Sequence, residues 1–220
     1  MDLASLRPTF DAVEAGSSID AWAWLPRLNI AGPVPAARCS HAACAIDDVS
    51  FLVVGGGACE EVPRGAGAAP DTAWVHFADV WQFSALDVSW RRLDRQLGDD
   101  DGLPGGSDRG TMLHMPARRG HAAAFCPQRR LLVIFGGTSG GVGAEGLLGD
   151  VWAFHVDSGV WTQPCAGPGS SGVEWPAERR GCSGWLDNGR FYVLGGYTAG
   201  ATQWDSTLWA LDLDTWTWAK

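Results

Sequence analysis

One ordered pattern runs through the chain three times, and that self-similarity limits the possible folds more than any single residue does. Arg38-Cys39-Ser40-His41, Arg118-Arg119-Gly120-His121 and Arg179-Arg180-Gly181-Cys182 each open a copy. An apolar run then ends in a glycine doublet: Phe51 to Val54 before Gly55-Gly56, Leu131 to Phe135 before Gly136-Gly137, Phe191 to Leu194 before Gly195-Gly196. Next come Asp79-Val80-Trp81-Gln82-Phe83, Asp150-Val151-Trp152-Ala153-Phe154 and a looser Ser206-Thr207-Leu208-Trp209-Ala210-Leu211, and Trp90, Trp161 and Trp216 close the units. A unit of this size cannot bury its own apolar face, so it must stack on copies of itself.

Within each copy the apolar and aromatic runs are four to six residues long. They are bounded by turn signals such as Asp157-Ser158-Gly159 and Asp187-Asn188-Gly189, which reads as strands joined by tight turns. Strand a is expected near 40–46, 121–126 and 182–186, and strand b near 51–55, 131–135 and 190–194. Strand c falls near 79–84, 150–155 and 207–211, and strand d near 89–93, 160–163 and 215–219. No long segment has a helical period. The glycine doublets end every strand b because, without a Cβ, the chain can take a positive φ or let another backbone approach closely. A phosphate cradle fits them poorly, since Gly55-Gly56-Gly57 opens no helix and no Gly-Lys-Ser/Thr follows.

At these positions the sequence resembles the Kelch repeat family, over roughly residues 35–220. The resemblance implies an all-β fold in which each repeat is one four-stranded blade of a β-propeller. Blades are expected over 35–93, 116–163 and 176–220, separated by a Gly/Asp-rich loop at 94–115 and a loop at 164–175. Ala21-Trp22-Ala23-Trp24-Leu25, with the linker to residue 34, reads as an orphan strand d. Residues 1–20, with Leu6, Phe10 and Val13, read as a short helix. Three blades span only part of a ring, while closed propellers have about four to eight. The expectation is therefore an incomplete or open ring: a piece of a larger propeller, an open arc, or an arc that closes by association through its exposed blade faces.

The 13 tryptophans suit blade-to-blade packing, with Trp81, Trp152 and Trp209 recurring at one position and each supplying a large buried area. A composition 46% apolar and 19% charged is enough for a globular core. No apolar run approaches the roughly 20 residues of a membrane span, and Met1 to Pro8 lacks the basic and apolar regions of a signal peptide. The cytoplasm, or the nucleus, is the compartment expected. A formal charge of −9, with Lys220 the single lysine, argues against a nucleic-acid groove. Cys39, Cys44, Cys59, Cys126, Cys165 and Cys182 include no Cys-x-x-Cys pair, so buried reduced thiols are expected rather than metal ligands or a disulfide framework.

In an antiparallel blade the a–b and c–d turns emerge at one end and the b–c and d–a loops at the other. The short turns all fall on the first end and the long insertions on the second, at about 58–77, 94–114, 138–148, 164–178 and 197–205. Long loops on a rigid scaffold usually carry recognition. The candidate contacts there are Glu60, Glu61, Arg64, Trp74, Arg109, Trp175 and Trp204. Arg38, Arg118 and Arg179 begin the innermost strands at the same end. Either they converge to grip a carboxylate or phosphate of a partner, or each holds a carboxylate of its own or the next blade.

No nucleophile elbow, zinc motif, phosphate loop or dinucleotide fingerprint is present, and Asp99-Asp100-Asp101-Gly102 lacks the alternating ligands of a calcium loop. The histidine position of the repeat becomes Cys182 in the third copy, which argues against a symmetric metal ring. Some relatives of this fold are enzymes, among them copper oxidases and iron-dependent specifier proteins. A tyrosine–cysteine copper centre would have to use Tyr192 or Tyr197. The expectation is a non-enzymatic, cofactor-free module, a scaffold or the substrate-recognition part of a larger assembly, that binds a protein partner through its long loops. The alternatives are a small-molecule or metal-dependent enzyme with its site at the channel mouth, and a fragment without a function of its own.

Overall fold

The apolar runs before the glycine doublets are the second strands of three antiparallel sheets, each of four strands. The structure is a computed structural model that describes residues 30, 32–62, 71–94, 113–140, 146–165, 167, 174–199 and 204–220. The expected orphan strand at 21–25 and the helix at 1–20 lie outside the described residues. Blade 1 contains β1 (Ala42–Ala45) and β2 (Ser50–Val54), then a hairpin of β3 (Gly57–Val62) and β4 (Asp71–His76), then β5 (Val80–Ser84) and β6 (Ser89–Arg92). Its sheet order is β1-β2-β5-β6, so the hairpin is an insertion between strands b and c.

Blade 2 is formed by β7 (Ala122–Cys126), β8 (Leu131–Phe135), β9 (Val151–His155) and β10 (Val160–Thr162), paired in sequence order. A short β11 (Arg179–Arg180) precedes blade 3, whose strands are β12 (Ser183–Asp187), β13 (Arg190–Leu194), β15 (Leu208–Asp212) and β16 (Thr217–Ala219). Between strands b and c of that blade, β14 (Tyr197–Thr198) pairs back on β11. The strands follow the positions expected from the sequence. Among the described residues the three blades do not close a ring.

Side chains alternate across a strand, so each blade presents one set of residues to each neighbour. Leu52, Val54 and Val80 of blade 1 meet Leu132, Ile134, Phe154 and Trp161 of blade 2 in one core. Val133, Phe135 and Val151 of blade 2 meet Phe191, Val193, Trp209 and Leu211 of blade 3 in a second. Sandwiched on both sides, β8 is buried at every position, whereas β12 at the open end has no buried position and β13 buries only Phe191 and Val193. The inner strands of blades 1 and 2 are alanine-rich and that of blade 3 carries Gly184, because these strands approach closely: a Cβ on Gly184 would lie 2.9 Å from the Ala122 Cβ.

The glycine doublets do both things the sequence suggested. Gly136 has φ +70°, and a Cβ there would lie 2.7 Å from the Arg179 carbonyl oxygen of the next blade. The Gly137 N–H donates to that same carbonyl at 2.8 Å, and the Gly56 N–H donates to the Arg118 carbonyl at 2.9 Å. The first two doublets are therefore the points where the following blade is hydrogen-bonded to its predecessor.

One assignment changes. Trp218, not Trp216, is the third closing tryptophan: it pairs with Leu211 as Trp90 pairs with Phe83 and Trp161 with Phe154. Trp216 sits in the turn before β16 at φ +55°. The separation was readable, since in each pair the tryptophan lies seven positions after its partner.

Candidate partner-binding surface

At the long-loop end every strand a is preceded by an arginine gripped from several sides. Arg118 donates to both oxygens of Asp150 at 2.6 and 2.9 Å and to the carbonyls of Gly136 and Pro116. Arg38 repeats the arrangement on Asp79 at 2.5 and 2.9 Å, with the Gly55 and Ala36 carbonyls. Arg179 reaches Asp205 at 2.9 Å and the carbonyls of Gly195 and Ala177. Arg118 and Arg179 are fully buried. The arginines that begin strand a thus hold carboxylates of their own blades, the second of the two possibilities the sequence left open.

The acids are tuned by the same contacts. Burial opposes ionisation of Asp150, but hydrogen bonds from Arg118 and Trp152 and the Arg118 charge hold its carboxyl below the ordinary range. Asp79 is held down in the same way, against burial, by Arg38 and Trp81. His121, buried at the strand-a entry of blade 2, is driven down to about 3 by burial and by the nearby Arg118 charge, so it is neutral. Burial pushes the thiols of Cys44 and Cys182 up to about 11.

Beyond the glycine doublets the chain builds a second, smaller ladder in each blade. Cys39 bridges Gly57, Arg119 bridges Thr138, and Arg180 pairs with Tyr197. Those partners pair outward in turn: Gly57 with His76, Thr138 with Leu147, Tyr197 with Trp204. Successive residues of an extended segment point to opposite sides. The first arginine of each doublet therefore turns into its blade, and the second turns into this ladder.

The second arginines form the distinctive feature of this end. The Arg119 guanidinium lies 4.1 Å over the Trp74 ring of the blade 1 hairpin, and that of Arg180 lies 4.9 Å over Tyr197. The two inner segments touch through the Gly181 N–H, which donates to the Gly120 carbonyl at 2.7 Å. Burial and then the charge of Arg180 lower the Arg119 pKa, as expected for neighbouring guanidinium groups. Trp204, 73% exposed, stands edge-on to Tyr197 with ring centroids 5.5 Å apart.

The other residues expected at the surface divide. Glu60 is exposed on β3, and Trp74 is half-buried beneath Arg119. Glu61 belongs to β3, opposite Thr72. Arg64 and Arg109 lie outside the described residues. Trp175 is not a projecting loop residue: its indole N–H donates to the Gly149 carbonyl at 2.7 Å, and its ring packs edge-on to Trp218 at 6.1 Å. Among the described residues no group of three or more His, Cys, Asp and Glu side chains is placed to hold a metal ion, and no helix is long and apolar enough to cross a membrane.

The family described as the KLHDC2/KLHL20/DRC7 Kelch-repeats domain matches residues 109–220, just over half of the chain. No curated protein matches closely enough to count as a relative. Blade 1 lies outside the matched span, yet it carries the same arginine, aspartate and tryptophan arrangement as blade 2.

Proposed function

The chain belongs to the Kelch-repeat family, whose domains are in general protein-interaction modules, and we propose that it binds a protein partner at the long-loop end, around Trp204, Arg180 and Arg119. The partner segment suited to this surface carries a carboxylate beside an apolar side chain. The charges of Arg119 and Arg180 oppose each other, and a partner's anionic group near both would be favoured by the two together. Stacking on Trp74 and Tyr197 fixes the guanidinium planes, which lowers the ordering cost of binding.

The observation that carries this reading is Trp204. A tryptophan that is 73% exposed on a rigid scaffold, beside a charged group stacked on the ring it touches, has the chemistry of an interface anchor. Peptides selected from a displayed random library test it. Binders to the whole chain should lose affinity at least tenfold in both Trp204→Ala and Arg180→Ala and keep it in Leu86→Ser, which alters the opposite end. Binders indifferent to Trp204 and Arg180 would overturn the proposal.

A further inference from the structure

Most arginines of the described residues hold a carboxylate. Arg38, Arg118 and Arg179 do so on Asp79, Asp150 and Asp205 at the long-loop end, and others do the same at the opposite end. Arg180 is the exception. Among the described residues it is the one arginine whose side chain makes neither a hydrogen bond nor an ion pair. Its Nε is buried with no acceptor among them, and its guanidinium lies over the Tyr197 ring. Stacking engages the face of a guanidinium and leaves its edge N–H groups to a ligand. With 25 acidic residues in the chain, acids are not scarce, yet none is placed on this cation among the described residues.

A second positive charge stands close by. A Cβ on Gly120, next to Arg119, would lie 3.6 Å from the Arg180 Cβ, and the Gly181–Gly120 hydrogen bond joins the two segments. Arg119 is itself buried, so it acts on a ligand through its charge while Arg180 supplies the donors. On one side the site is walled by Tyr197 and the exposed Trp204. Elsewhere in this fold one carboxylate serves one guanidinium: Asp79 and Asp150 each place both oxygens on a single arginine. A site facing two positive charges is matched better by a doubly charged group. A phosphorylated side chain carries a charge of about −1.5 to −2 at neutral pH and three strong acceptor oxygens.

We infer that the group this surface binds most strongly is the phosphate of a phosphoserine or phosphothreonine in the partner protein. Arg180 holds it, the Arg119 charge backs it, and a neighbouring apolar side chain of the partner rests on Trp204. The inference depends on the partner surface proposed above and sharpens it: a carboxylate satisfies Arg180, and phosphorylation of the partner strengthens the contact. Capture is then controlled by whatever kinase modifies the partner. Nucleic acid is a poorer source of phosphate, because each phosphodiester carries one charge and a chain of formal charge −9 repels a polyanion.

Peptide libraries that differ only in a central phosphoserine, glutamate or serine, flanked by random positions, test this on the whole immobilised chain at neutral pH. The phosphoserine library should be retained about tenfold more than the glutamate library, the gain of one further charge-assisted hydrogen bond, and the serine library least. Arg180→Gln should abolish the phosphoserine advantage at an unchanged melting temperature. Should that variant fail to fold, the parent still decides. Retention of phosphoserine should fall between about pH 7 and pH 5 as the phosphate takes up its second proton near pH 6. The glutamate library, which reports any change in the site itself, should hold over that range. Equal retention of phosphoserine and glutamate, both lost in Trp204→Ala, would overturn the phosphate inference and leave the partner surface standing. A phosphoserine advantage that persists in Arg180→Gln, or that ignores pH, overturns it too. An advantage that needs Arg180 but not Trp204 supports the phosphate and overturns the Trp204 anchor. Retention of no library overturns both. Displacement of the phosphopeptides by a random single-stranded DNA oligonucleotide at equal phosphate concentration would assign the site to nucleic acid and overturn the inference.

Discussion

The Trp152 indole N–H donates to the Asp150 carboxylate at 2.6 Å, on the same oxygen that accepts from Arg118. Trp81 and Asp79 repeat this at 2.7 Å. In blade 3 the aspartate two positions before the tryptophan is replaced by Thr207, and Asp205, two residues earlier still, serves Arg179 instead. The buried indole nitrogen of Trp209 has no hydrogen-bond partner among the described residues. Trp152→Phe therefore removes a hydrogen bond to a charged acceptor, while Trp209→Phe removes none. Urea denaturation should show Trp152→Phe costing more by about 1.5–3 kcal/mol, the range for hydrogen bonds to charged groups. Equal costs would mean that the indole bond adds nothing to blade stability.

The Arg118–Asp150 pair should dominate the acid stability of the fold. Arg118 is fully buried, so Asp150→Asn strands a guanidinium charge, a loss of about 3–5 kcal/mol for a buried pair. Asp205→Asn should cost less, because Asp205 meets Arg179 through a single hydrogen bond. The pH dependence has a definite sign. Asp79 and Asp150 ionise below their ordinary range when folded, so their contribution is present above the unfolded value and lost as pH falls through the folded one. The melting temperature should hold from neutrality to about pH 5 and fall below about pH 4, near the unfolded aspartate value. In Asp150→Asn the acid slope should be shallower.

Glycine is required at some positive-φ positions by its neighbours and at others only by its backbone. Gly136→Ala brings a Cβ against the Arg179 carbonyl, while Gly189→Ala at φ +74° meets nothing within 4 Å. The second should cost about 1–2 kcal/mol, the left-handed penalty alone. The first should cost clearly more, because a backbone of the next blade must move. Denaturant midpoints of the two variants provide the comparison, and similar values would show that the blades can separate slightly without loss.

Much of this architecture was legible because repeats align on order. The glycine doublets and apolar runs place strand b, and the following strands follow from it. What escaped the sequence lies where a repeat is broken or a doublet splits. Arg118-Arg119 and Arg179-Arg180 look like two equivalent pairs of charges, yet the first member is buried on an aspartate and the second stacks on an aromatic ring. The two-residue alternation of an extended segment could have separated them, whereas the shift from Thr207 to Asp205 has no signal in strand spacing. Trp175 and Trp204 both sit outside the repeat pattern, and only packing shows that one enters the core and the other stands in solvent.

The cysteines give a chemical check on the blade packing. Cys39 and Cys59 are exposed at the long-loop end, while Cys126 is buried in β7. The thiols of Cys44 and Cys182 are pushed to about 11 by burial, and that of Cys165 to about 11 by burial and the Asp150 charge. Because the thiolate is the reactive form, only a minute fraction of those three is reactive at pH 8. Brief treatment of the native protein with iodoacetamide at that pH, followed by peptide mass mapping, should label Cys39 and Cys59 first. The other four should react only after denaturant is added. Early labelling of Cys44 would mean that blades 1 and 2 part in solution, since Cys44 packs against the core between them, and early labelling of Cys182 would say the same of blades 2 and 3.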